Sequence, residues 1–461
     1  MPFEGEFASY EPLRRILENE KVKDLRSRFK IRVEEGEEEE FVDKLLSKND
    51  LPNSNWQPNY LIGIDGSVQS SSVPDTGFPG SEIGYITASG VLILMEKVRQ
   101  LEDKEFIDPK EFRETEKPST FDAVFPGCNV IIDEEEDAKS SMRKTLFEQF
   151  DKHIEFTGGE TLLETYQALL KIKIEKGTEK NPPKCPCDKE EKFKYGYDSY
   201  KCDCGKDLYS TDAMRLHELF NPIGTCGEMY GQIMSTIEKL WLIHILRAFE
   251  KKNWLQELGR LAFVLDGSLA VFSTSSWLTK SINKELIRIN ELQKTFTGKD
   301  LLIIGVEKTG QFVNHFNFIG DLQKDDKGDE DNKDKFPKQS ILLLDNGYIN
   351  RNIKYGDPDK KEFGKDTYFG RKFFYKTHNG YKITASVATF SEQQQSLQTA
   401  NPNQFPRLVD IMTLLDELTS NRYPNSVTPL ISAHSEAAIP LNLGKRLFED
   451  IAREIRNRPT V

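Results

Sequence analysis

The chain has 461 residues, of which 37% are hydrophobic and 30% charged, with a net charge of −12. This supports a real core, in one large domain with insertions or in two to three ordinary ones, and no apolar run approaches the ~20 residues that span a bilayer. The opening MPFEGEFASYEPLRR has no basic segment leading into an apolar stretch, so no secretory leader is expected and the cytoplasm is the default location.

Residues 1–55 read as an N-terminal helical segment, charged, with Leu13, Ile16, Leu25 and Phe29 at roughly helical spacing. A Pro- and Asn-rich turn covers 52–59. Tyr60 to Ser67, YLIGIDGS, reads as a buried strand with its aspartate at the C-terminal end, and a second strand follows over 84–96. Residues 101–145 are charged and mostly without pattern. Helical patterns resume at 140–153 and 160–175, and Thr211–Glu218 reads as a helix with Asp212 as its N-cap. A long helix is predicted over 227–251, where Met229, Ile233, Ile237, Leu240 and Ile243 give a broad apolar face. Arg260 to Ser268, RLAFVLDGS, repeats the ending of the first strand.

A helix over 282–295 leads to a strand over 301–306, and the charged stretch 324–335 reads as a loop. Strands follow near 339–344 and within 368–386. The last part holds a helix near 407–418, a strand near 429–432 and a helix over 444–455. Strands alternating with helices predict a mixed α/β sheet covered on both faces. Residues 56–461 are read as one domain, with insertions at 183–206 and 322–336.

The two endings Gly63-Ile-Asp-Gly-Ser67 and Val264-Leu-Asp-Gly-Ser268 carry the chemistry. A carboxylate at the end of a buried strand is rigidly held, and the following glycine lets a phosphate or metal approach the backbone. Two such carboxylates on neighbouring strands can share divalent cations, which in two-metal sites stand ~3.5–4 Å apart and serve phosphodiester hydrolysis. Hard oxygen ligands favour Mg²⁺ or Mn²⁺ over zinc. One Asp-Gly alone would merely begin a turn; the matched pair sets the two aspartates apart from that.

With these motifs in order, the sequence resembles the NurA nuclease family, whose core is RNase H-like. The resemblance rests on Asp65-Gly-Ser, the helix bearing Glu228 and Glu238, Asp266-Gly-Ser-Leu269, Gly305-Val-Glu-Lys308 and Ala433-His434, spread over roughly 60–445. It implies an RNase H-like mixed sheet flanked by helices, and Asp65, Asp266 and a helix glutamate as ligands of Mn²⁺ or Mg²⁺. Glu238 is favoured over Glu228 because it lies deeper in the helix; the two stand about 80° apart around it. The resemblance makes His434 a metal ligand or proton donor, and Tyr423 and Lys308 residues that line the site. It also implies DNA as substrate and a HerA-type hexameric ATPase as partner, in DNA end processing or defence against phage, with a homodimer or higher oligomer expected. The acidic charge agrees with such a motor, since phosphate binding needs Lys and Arg and a partner can hold the DNA instead.

Arg371 and Lys372 lie among aromatics at strand spacing, which reads either as a DNA-binding strand or as a half-buried strand with a basic outer face. Cys185, Cys187, Cys202 and Cys204 form two tight pairs, enough thiolates for a structural zinc in a small inserted knuckle. Rival readings are a non-catalytic RNase H-like subunit of a motor complex and an RNA-directed nuclease. Intact Asp65 and Asp266 argue against the first, and the lack of a recognisable RNA-binding module leaves the second unsupported.

Overall fold

The computed structural model describes residues 10–29, 41–73, 80–102, 114–132, 135–152, 159–174, 199–272, 276–319, 336–357, 362–419, 428–438 and 450. The chain separates into two units, Met1–Asp43 and Lys44–Val461. In the first, helices Glu11–Glu18 and Glu20–Arg28 meet at Asn19, whose side chain accepts from the Lys21 and Val22 N–H groups and so caps the second helix.

The strands of the second unit are β1 (Leu45–Ser47), β2 (Tyr60–Val73), β3 (Ser81–Leu94), β4 (Glu116–Pro126), β5 (Ser199–Lys201), β6 (Asp207–Tyr209), β7 (Leu261–Asp266), β8 (Leu302–Glu307), β9 (Ser340–Leu343), β10 (Gly370–Lys376) and β11 (Lys382–Ala388). Nine of them form one mixed sheet in the order β1-β9-β10-β11-β8-β7-β2-β3-β4. β7 lies parallel to both β2 and β8, and the other pairings are antiparallel.

β7, β8 and the first half of β2 are almost wholly apolar because helices cover both faces. Ile62, Ile64, Phe263 and Leu265 point one way, into a core shared with helices Ala138–Phe150, Leu162–Ile174, Gly227–Lys251 and Trp277–Thr297. Their neighbours Leu61, Ala262 and Val264 point the other way, against helices Leu408–Leu418 and Thr428–Ala437. Among the described residues, no helix is long and apolar enough to cross a membrane.

Four sequence expectations need correction. β2 does not end at its Asp-Gly: it pairs with β3 over its whole length, from Tyr60↔Leu94 to Val73↔Ser81. The pattern-free region contains β4, where only the later half alternates, burying Phe121, Ala123 and Phe125. The expected strand at 429–432 is part of the helix Thr428–Ala437. Leu430, Ala433 and Ala437 recur at helical spacing and are buried, and Pro429 is tolerated in a first turn. The segment 211–218 forms two 3₁₀ turns, Ser210–Met214 and Leu216–Leu219, broken at Arg215 with φ 60°. Asp212 is therefore not an N-cap; it is buried and takes hydrogen bonds from Arg143 and the Tyr209 N–H. The helix expected over 444–455 lies outside the described residues apart from Asp450.

Candidate active site

Strand register brings the two Asp-Gly-Ser segments together. The parallel pairing of β2 with β7 runs from Tyr60↔Leu261 to Ile64↔Leu265, so Asp65 and Asp266 are the next residues along each strand. There the strands part. β2 continues beside β3, while β7 stops and Gly267 turns the chain away at φ 80°, a left-handed conformation that suits glycine. Side chains alternate along a strand, so Asp65 shares the face of Leu61 and Asp266 that of Val264. On that face the Thr428–Ala437 helix packs against β2 and β3. Its His434 Nδ1 stands 3.0 Å from Asp65 Oδ2. From just beyond the end of β8, Lys308 Nζ reaches Asp266 Oδ2 at 2.8 Å.

Glu238 arrives from the opposite face. The Gly227–Lys251 helix lies against β2 and β3, and a Cβ at Gly66 would stand 2.8 Å from Met234 Cγ and 2.9 Å from Glu238 Oε1. The glycine after Asp65 thus makes room for the glutamate, and its own N–H donates to Asp65 Oδ1 at 2.8 Å. Glu228, ten residues earlier, is exposed in the first turn of the helix. The structure brings Glu238, and not Glu228, to the aspartates.

The cluster is crowded with negative charge. Burial, then the Asp266 and Glu238 carboxylates, push Asp65 up from its ordinary 3.8 to about 8, against the pull of Lys308. Burial also raises Glu238, opposed by Lys239, whose Nζ lies 2.7 Å from Glu238 Oε2. Both members of that pair are buried. Sequence reasoning missed Lys239, although two adjacent charges inside the apolar run Ile237-Glu-Lys-Leu-Trp-Leu242 were a signal that both have partners inside the fold.

Among the described residues, no three His, Cys, Asp or Glu side chains stand close enough to form a ready metal cage. The donor set nonetheless fits a hard divalent cation. It offers carboxylate oxygens and an imidazole, and Asp65 is raised by burial and then by the neighbouring carboxylates, both of which a bound cation would offset.

The remaining candidates fall elsewhere. Tyr423 lies outside the described residues. Arg371 and Lys372 are buried, which corrects the expectation of a basic outer face. Lys372 pairs with Glu307, and the Arg371 guanidinium donates to backbone carbonyls of Leu344, Gln394, Ser396 and Thr399. Cys185 and Cys187 lie outside the described residues. Cys202 and Cys204 sit in the tight turn between β5 and β6, where Cys202 N–H donates to Lys206 O and Gly205 N–H to Cys202 O. The Cys204 N–H lies 3.5 Å from Cys202 Sγ.

The family profile described as NurA domain matches residues 61–439. No curated protein matches the chain. A solved structure titled "Crystal structure of NurA" is similar at 11% identity and a TM-score of 0.31, covering 98% of this chain and 99% of that one.

Proposed function

The chain belongs to the NurA family, whose domain is of nuclease type, and on that premise we propose that it is a metal-dependent nuclease hydrolysing phosphodiester bonds in DNA. The observation that carries the reading is the convergence of Asp65, Asp266 and Glu238, with His434 on Asp65 and Lys308 on Asp266. These three carboxylates would hold Mn²⁺ or Mg²⁺. A divalent cation bound there supplies Lewis-acid charge at the phosphodiester.

The chain's own groups do the rest. Lys308 stands next to the carboxylates as a counter-charge for the scissile phosphate. His434 is well exposed, 59% by side-chain area, with Nδ1 directed to Asp65. Its other nitrogen, Nε2, is available to give a proton to the departing oxygen. Lys239 neutralises Glu238 on its buried side and holds it in place. The Cys185, Cys187, Cys202 and Cys204 thiolates would hold a structural zinc; the Cys204 N–H directed at Cys202 Sγ suits a metal-bound thiolate.

The net charge of −12 opposes DNA binding at long range, which favours a HerA-type hexameric ATPase that delivers the DNA. End processing and defence against phage are the settings such a pair would serve. The test is cleavage of labelled single- and double-stranded DNA and RNA with Mn²⁺, with and without the ATPase. Weak cleavage of DNA by the chain alone and strong stimulation by the motor are expected. Equal cleavage with and without it would remove the delivery argument, and preference for RNA would overturn the substrate.

A further inference from the structure

A cavity of about 550 Å³ lies between the start of the Trp277–Thr297 helix, the segment 362–371 and the short helix Glu392–Gln395 with the turn after it. That volume is in the range of small-ligand sites. Two of its wall residues carry buried polar atoms without a hydrogen-bond partner: Arg371 Nε, a donor, and Asn283 Oδ1, an acceptor. Each such orphan costs ~1–3 kcal/mol. Both are closed to water, so a ligand reaches them by displacing adjoining side chains of the wall.

A ligand that relieves both orphans must offer an acceptor and a donor. Phe363 and Tyr368 add aromatic surface to the same wall, which suits a flat ring. A nucleobase has this chemistry: a planar body that stacks, and edges that carry both donors and acceptors. The wall is mixed in charge, with Glu362, Asp366 and Glu392 beside Lys280, Lys365 and Arg371, so its charge does not single out a bare phosphate.

The cavity adjoins the proposed active site. Tyr368 bridges to Ala270 through the backbone, and the Ala270 N–H in turn donates to Ser268 O. Ser268 is two residues from Asp266 across the turn at Gly267, at most ~7 Å and within reach of a single nucleotide. We propose that this cavity receives one base of the DNA strand whose phosphate lies at Asp266 and Lys308. The inference rests on the nuclease reading for that placement, though not for base binding itself.

Calorimetric titration of the full chain with dGMP, dAMP, dCMP and dTMP, against 2-deoxyribose 5-phosphate as the control without a base, tests it. At least one nucleotide is expected to bind tenfold or more tightly than the control. Asn283→Leu, which removes the acceptor and fills the space, is expected to erase that advantage. Asn283→Ala gives the same reading should the larger side chain impair folding, and thermal melts of both variants report on folding. Equal affinity for nucleotides and control, or an advantage that survives in both variants, overturns the proposal. A single abasic residue walked along a labelled oligonucleotide then reads the placement. Cleavage is expected to fall tenfold or more when that residue stands at one fixed offset from the cut, and uniform cleavage contradicts it. An oligonucleotide that is not cut at all counts against the nuclease reading, while the titration still decides the cavity.

Discussion

Replacing Asp65 by Asn is expected to stabilise the protein when no divalent cation is present. Burial and the Asp266 and Glu238 charges raise this carboxyl from 3.8 to about 8, so at neutral pH the folded protein keeps it protonated while the unfolded chain ionises it. Between those values the native state binds the extra proton, and stability falls as pH rises, by about 1.4 kcal/mol per pH unit. From 3.8 up to pH 7 the loss reaches about 4 kcal/mol. Asn is neutral at every pH and escapes it. Denaturant midpoints of both proteins in a chelator, at constant ionic strength and several pH values, provide the assay. The two proteins are expected to coincide in stability near pH 4, diverge through the range up to about 8 and run parallel above it. Mn²⁺ is expected to raise the midpoint of the wild type and leave the variant nearly unmoved. A gap that does not change with pH, or a variant less stable than wild type near pH 8, would refute the view that these carboxylates crowd one another.

The two glutamates on the Gly227–Lys251 helix separate cleanly: Glu238→Gln is expected to lower the cleavage rate a hundredfold or more, Glu228→Gln less than twofold, both read under single-turnover conditions. Gly66→Ala drives a methyl against Met234 and Glu238 at 2.8 and 2.9 Å. It is expected to cost ~1–3 kcal/mol by overpacking, read by denaturation, and to displace Glu238 so that cleavage falls with it; unchanged stability and rate would mean the helix yields freely. Metal analysis of the purified protein is expected to find one zinc per chain, lost on Cys202→Ser, and a protein without zinc would refute the knuckle.

What the sequence made legible follows from which forces are local. The Gly227–Lys251 helix declares itself by its own period and starts and ends where that pattern does. β7 and β8 are apolar runs that can only be buried. The pairing of Asp65 with Asp266 is readable from two matching endings, although only the second of them ends a strand. Asp65 sits in the middle of a strand, and it ends up beside Asp266 because β7 stops there. Gly66 serves close approach by Glu238 and not a turn, a demand set by a helix over 160 residues away in sequence. Tertiary packing likewise decides that Arg371 and Lys372 are enclosed, since their strand lies within the sheet and its basic side chains find Glu307 and backbone carbonyls there. At 429–432 the short apolar run had no length to tell helix from strand, and Ala433 and Ala437 settle it only once a sheet surface is there to receive them.

The most direct measurement is the rate at which the protein, with a HerA-type ATPase present, cuts labelled DNA in Mn²⁺, compared with Asp266→Asn in the same mixture. Asp266 ends β7 at the point where the carboxylates gather, and its substitution leaves the apolar core untouched. The account predicts manganese-dependent cleavage by the wild type, none after chelation, and a loss of at least a hundredfold in the variant while the two proteins still assemble. Cleavage by Asp266→Asn at the wild-type rate, or no cleavage of DNA by the wild type with either Mn²⁺ or Mg²⁺, would contradict it.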